Sequence, residues 1–198
     1  YEPLLSDRKD HIIHRDPIEP NASKNPHDFK LDTPVYNYNL GEIYNLSIDH
    51  GTLTTEERFK INDHIVQTII MLEQLPFPHY LARVPEYAGG HHEKMNGTGY
   101  PRKLTGNQMS IPARIMAIAD IFEALTAADR PYKSAKKLSE SINIMSEMKQ
   151  KAHIDGDLFD LFLTSGVYKD FAEQFLDPSQ IDDIDISHHI QAEVTTED

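Results

Sequence analysis

The chain contains no cysteine. That absence removes disulfides, thiolate-bound zinc and thiol nucleophiles together. No apolar run approaches the roughly 18 residues that suggest a membrane-crossing helix, and no signal-peptide pattern opens the chain. The sequence therefore reads as that of a cytoplasmic protein with no membrane segment. Positive charge is scarce as well: 19 Lys and Arg stand against 32 Asp and Glu, a net charge of −13. This balance argues against a nucleic-acid polymer or an acidic membrane surface as the main partner. A small anionic substrate stays compatible if cations, whether metal ions or Arg and Lys, are gathered locally.

What is present is histidine, eleven of them in 198 residues, which leaves imidazole and carboxylate as the metal-ligand chemistry. The length suits one domain with an appended arm. Residues 1–39 hold Pro3, Pro17, Pro20, Pro26 and Pro34 among charges and asparagines, and read as an extended Pro-rich arm or linker. Residues 40–180 carry helical patterns, and 181–198 form an acidic C-terminal tail. A short helix is expected near 40–44. Thr54-Thr55-Glu56-Glu57 is a capping-box signature, followed by an apolar stripe of Phe59, Ile61, Ile65, Ile69 and Leu72 that Pro76 and Pro78 stop. Further helices are expected over about 79–89, from Ser110-Pro112 through Leu125, over 136–150, 157–165 and 167–176. No segment reads as a strand and no internal repeat is found. The fold class is all-α.

Residues 91–101 run His91-His92-Glu93-Lys94-Met95-Asn96-Gly97-Thr98-Gly99-Tyr100-Pro101. Adjacent side chains diverge by about 100° on a helix and about 180° on a strand. Such a pair is an awkward fit to one metal and suits two metals about 3.5–4 Å apart better. Taken alone, a His-His dipeptide beside a turn is more often a surface feature. Asp120 lies between Ala117-Ile118-Ala119 and Ile121-Phe122, where a buried carboxylate needs a cation, either a metal or a salt bridge to Arg114 or Arg83. His64 lies mid-helix, where an ordinary histidine is the bland alternative. Together His64, His91, His92 and Asp120 offer three imidazoles and a carboxylate from separate helical segments, the manner in which helical bundles assemble metal sites. An all-nitrogen-and-oxygen set suits iron, manganese or zinc.

The series His91-His92-Glu93 to Gly99-Tyr100-Pro101, Ala113-Arg114-Ile115, Ala119-Asp120, Ala124-Leu125-Thr126 and Arg130-Pro131-Tyr132 resembles the HD-GYP family. Gly51-Thr52-Leu53-Thr54 with Glu56-Glu57 and His64 matches it too, so the likeness spans about 40–176. The resemblance implies an HD-type helical bundle, incomplete at its N-terminal side. It also implies a metal-dependent phosphodiesterase that opens cyclic di-GMP to pGpG, and onward to GMP, in bacterial signalling. The implied metal ligands are His64, His91, His92 and Asp120, holding iron or manganese in a centre of two or more ions. Glu93 is implied in catalysis, orienting a ligand histidine, and Gly99, Tyr100, Pro101, Arg114, Arg130 and Lys133 in substrate binding. For Arg114, pairing with a carboxylate on its own helix is an equal alternative.

Two departures qualify the likeness. Asn96 stands where the family usually has aspartate. The family's His-Asp pair is expected upstream of the Gly-Thr-Leu-Thr segment on a helix, whereas the His-Asp dipeptide present, His27-Asp28, has the context of a turn. The pair is expected N-terminal to Tyr1. The alternative functions are a catalytically incomplete domain that binds nucleotide or GGDEF-type signalling proteins without hydrolysis, and a phosphohydrolase of nucleotide monophosphates.

Overall fold

Two helix starts in this chain, at Thr54 and Asp155, are written in polar side chains that cap them. The computed structural model describes residues 5–15, 25–49, 51–128 and 135–190. Seven α-helices lie among the described residues, beside one small antiparallel ribbon. The chain clusters into two compact units, Tyr1–Pro76 with Tyr100–Arg102, and Phe77–Gly99 with Lys103–Asp198.

In the first unit the stretch read as an arm contains regular structure. Strand β1 (Ile12–His14) pairs antiparallel with β2 (Tyr36–Asn39), in the register Ile12 to Asn39 and Ile13 to Tyr38, with an irregularity between Ile13 and His14. These strands escaped the pattern because each is too short for a period to show: β1 has three residues, and the Tyr-Asn alternation of β2 runs for only four. Helix α1 (Glu42–Leu46) begins at Gly41, which has no side chain to cap it. The Asp7 carboxylate does so from the arm, accepting the Ile43 N–H at 2.9 Å. A Cβ on Gly41 would stand 2.4 Å from that oxygen. Helix α2 (Thr55–Glu73) opens with the expected reciprocal cap: Thr54 Oγ1 accepts from the Glu57 N–H, and Glu57 Oε2 accepts from the Thr54 N–H. Its buried residues include Ile65, Val66 and Ile69, while Ile61, expected in the stripe, is 53% exposed.

His27-Asp28 lies in a turn, with Asp28 at φ 53° and its N–H bonded to the Asn25 carbonyl. His27 Nδ1 meets Glu73 Oε2 at 2.8 Å, and its ring stacks on Phe29. Arg102 Nε donates to the His27 carbonyl, and its guanidinium lies over the Phe29 ring at 5.6 Å. The Lys30 N–H donates to the Pro101 carbonyl.

The second unit holds α3 (Val84–Gly89), α4 (Ile111–Thr126), α5 (Leu138–Gln150), α6 (Gly156–Thr164) and α7 (Val167–Phe175). Pro112 sits in the first turn of α4, where its missing N–H costs nothing. Asp155 caps α6 by accepting the Leu158 N–H, and Gly166, at φ 78°, turns the chain from α6 into α7. Helices α4 to α7 close on one apolar cluster that includes Ile118, Phe122, Ile142, Met145, Phe159, Leu163 and Tyr168. Phe122 meets Phe162 and Phe171 edge-on, at 5.1 and 5.6 Å between ring centroids. Among the described residues, no helix is long and apolar enough to cross a membrane.

Candidate metal centre

Helix α3 brings the histidine pair into place through Gly90, its C-cap. A Cβ at Gly90 would stand 2.8 Å from Cβ of Ala113, so the glycine allows the end of α3 to lie against α4. His91 and His92 follow in a turn. The divergence expected of adjacent side chains presumes a regular helix or strand, and here it does not apply. The two rings lie side by side, with centroids 4.1 Å apart and planes tilted by 48°. A potential ligand atom on each lies within 4.8 Å of the other. His91 Nδ1 is 2.7 Å from the Ala88 carbonyl oxygen, an arrangement that places the proton on Nδ1 and leaves the Nε2 lone pair to face a ligand. Metal–imidazole bonds are about 2.0–2.1 Å long. The pair therefore fits one shared ion or two adjacent ions.

His64, in the first unit, is exposed on α2, and its Nδ1 faces the Ile61 carbonyl oxygen. The three-residue offset is the one seen at His91, and it too directs Nε2 outward. Asp120 corrects the sequence reading, being exposed rather than buried. Its neighbours Ile118 and Phe122 enter the core. A two-residue step on a helix turns through about 200°, so it carries Asp120 away from both. Asp120 is not part of the cluster of ligand atoms that includes His91 and His92.

Glu93 is only 2% exposed, and its Oε2 accepts the Leu104 N–H at 2.8 Å. A carboxylate so enclosed positions the loop through this bond. Loop 93–99 folds tightly on itself: the Glu93 N–H donates to the Gly90 carbonyl, the Gly97 N–H to the Lys94 carbonyl, and Gly97 takes φ 77°. A Cβ on Gly99 would stand 2.4 Å from Lys94 N and 2.5 Å from Glu93 Cα. Glycine is required there by the backbone next to His92. Tyr100 and Pro101 follow, joined by a cis peptide bond.

The loop is strapped to the turn between α5 and α6. The Met95 N–H donates to the His153 carbonyl and the Asn96 N–H to the Ala152 carbonyl, while Asn96 Nδ2 donates to the Lys151 carbonyl at 3.0 Å. Burial, and then the nearby Lys94 charge, pushes the His153 imidazole below its ordinary value. This turn was missed in the sequence, because its partners lie 55 residues from Asn96 and no local pattern marks them.

Arg114 is held by a carbonyl and a carboxylate. Its Nε and Nη2 both donate to the Met109 carbonyl, and Nη1 meets Asp155 Oδ2 at 3.0 Å. The guanidinium fork ties α4 to the segment before it and to the cap of α6. Its carboxylate partner is the cap of α6 and not a residue of its own helix. Arg130 and Lys133 lie outside the described residues.

A family model described as HD domain matches residues 1–158, including the stretch set apart by composition as an arm. The chain is 46% identical over 80 residues to 3'3'-cGAMP-specific phosphodiesterase 1 of Vibrio cholerae serotype O1, covering 40% of this chain and 18% of that protein. It is 40% identical over 109 residues to 3'3'-cGAMP-specific phosphodiesterase 3 of the same organism, covering 55% of this chain and 23% of the relative. A cyclic di-GMP phosphodiesterase from that organism is 36% identical over 117 residues, again with 57% and 23% covered. The chain thus spans less than a quarter of the length of each of these relatives. With four-fifths of its residues matched and its His91-to-Pro101 run of the HD-GYP type, the chain belongs to the HD domain family.

Proposed function

We propose that this chain forms part of a metal-dependent phosphodiesterase that hydrolyses cyclic di-GMP to pGpG, and onward to GMP, in the cytoplasm. The observation that carries the reading is the paired imidazoles of His91 and His92, with His91 Nδ1 held by a backbone carbonyl. His64 and Asp120 are assigned as further ligands on their motif positions. Bound iron or manganese would supply charge neutralisation at the phosphoryl oxygens and an acidified water. The protein's own part is orientation. Ala88 sets the tautomer of His91, and Glu93 holds the loop that follows the pair through the Leu104 N–H. Arg114 fixes the segment before α4 through the Met109 carbonyl. The Tyr100-Pro101 segment is assigned to the substrate cleft, with Arg130 and Lys133 as contacts to phosphate. A second substrate, 3'3'-cGAMP, is favoured by the names of two of the relatives.

The test is turnover of cyclic di-GMP and of 3'3'-cGAMP by the full-length protein loaded with manganese or iron. His91→Ala and His92→Ala should each lower it at least about 100-fold, because even outer partners of a ligand are worth about 10–100-fold. Helical content should stay the same. Unchanged turnover in both variants would sink the metal assignment, and binding without turnover would favour a nucleotide-binding or GGDEF-partner domain.

A further inference from the structure

Asn96 makes a contact that the family's aspartate cannot. Its Oδ1 accepts two hydrogen bonds, from the Thr98 N–H at 3.0 Å and from the Thr98 hydroxyl at 2.7 Å. Its Nδ2 donates to the Lys151 carbonyl. A backbone N–H only donates and a backbone carbonyl only accepts, so these partners fix the orientation of the amide without ambiguity. An aspartate can keep the Thr98 end. At the Lys151 end it would set a carboxylate oxygen against a carbonyl oxygen, replacing a hydrogen bond with a repulsion.

We propose that Asn96 is a positioning residue for the His91–His92 pair, clamping the histidine loop to the α5–α6 turn, and that restoring the family's aspartate weakens the site. The inference rests on the metal-site reading given above. The mechanical path is short. Three residues separate His92 from Asn96, and among them the Glu93–Lys94 backbone is packed against Gly99 with no space for a Cβ. Beside the Asn96 amide, the Met95 and Asn96 N–H groups reach His153 and Ala152 on the same turn. Three adjacent bonds therefore hold one loop on one turn, and only the Asn96 Nδ2 bond depends on side-chain identity. Ala152 takes φ 49° in that turn, a left-handed conformation that an alanine adopts at some cost and that the straps help to hold.

The experiment compares wild type, Asn96→Asp and Asn96→Ala in the full-length protein, with circular dichroism to confirm that each is folded. Amide hydrogen exchange at Met95 and at position 96 should be about 5- to 10-fold faster in both variants, the size expected for one lost hydrogen bond. Manganese should bind about 10-fold more weakly, and the visible absorption bands of the cobalt-loaded protein should shift, which a merely stabilising role would not cause. Exchange within twofold of wild type in Asn96→Asp overturns the clamp. Unchanged manganese affinity and cobalt bands, with faster exchange, overturn the positioning role. Failure of the wild type itself to bind manganese would instead defeat the metal reading, while the exchange arm, which needs no metal, still decides the clamp.

Discussion

Each of the two units owes its internal order to different contacts. In the second, Phe122, Ile142, Met145, Phe159, Leu163 and Tyr168 share one apolar cluster. In the first, much of the order comes from single polar and cation–π contacts between distant residues: Asp7 capping α1, Arg15 over Phe59 at 4.6 Å, Lys60 over Tyr38 at 5.5 Å and Arg102 over Phe29. Apolar burial scales with area and withstands salt, whereas single cation contacts contribute less and an exposed one, such as that of Lys60, is screened. The second unit should therefore tolerate solvent changes and resist core mutation poorly. The first should be the more sensitive to salt.

Four measurements probe this contrast. Phe159→Ala removes a fully buried ring and should destabilise the second unit by about 3–5 kcal/mol in urea unfolding. A loss below about 1 kcal/mol would mean that the cluster repacks freely. Thr54→Ala should cost α2 about 1 kcal/mol by leaving the Glu57 N–H without its acceptor. A third test is acidification. Burial, and then neighbouring positive charge (Lys94 for His153, His188 for His189), lowers the folded-state affinity of both imidazoles for protons. The unfolded chain then binds more protons than the native one, so this contribution is intact above about pH 6.5 and is lost as pH falls below that value. His153→Gln should flatten the stability profile between about pH 7 and pH 5. An unchanged slope would exclude His153 as the titrating group. Lys60→Met should have the smallest effect, about 0.5 kcal/mol, because the ammonium over Tyr38 is exposed. A cost above about 2 kcal/mol would mean that the ribbon depends on this one contact.

The same contrast separates what could be read from the sequence from what could not. Helices α2, α4, α5, α6 and α7 were legible because caps, first-turn prolines and helical periodicity are local signals. The capping box at Thr54 and the inward Leu138, Ile142 and Met145 appear as expected. The β1–β2 ribbon was not legible, since its strands are three and four residues long and lie more than twenty residues apart. At the site, the histidine pair was legible and its shared side was not, because a turn has no fixed angular step. Asp120 shows the opposite fault: apolar neighbours in sequence suggested burial, but a helix sends neighbours to different faces. For Arg114, the residue type suggested a phosphate, and only the fold supplied Met109 and Asp155 as partners.

The α5–α6 turn has a consequence for how this chain can vary. Two of its three bonds to the histidine loop are backbone to backbone and so make no demand on the side chains at Ala152 and His153. The third uses only the Lys151 carbonyl. Side-chain identity matters at position 152, where φ 49° favours glycine or asparagine, but the acceptors themselves depend only on the spacing. Adding or deleting one residue there would shift every acceptor by about 3.8 Å against donors that lie far away in sequence. Among natural variants of this protein, the length of the turn should stay constant, and position 152 should hold residues that tolerate a positive φ.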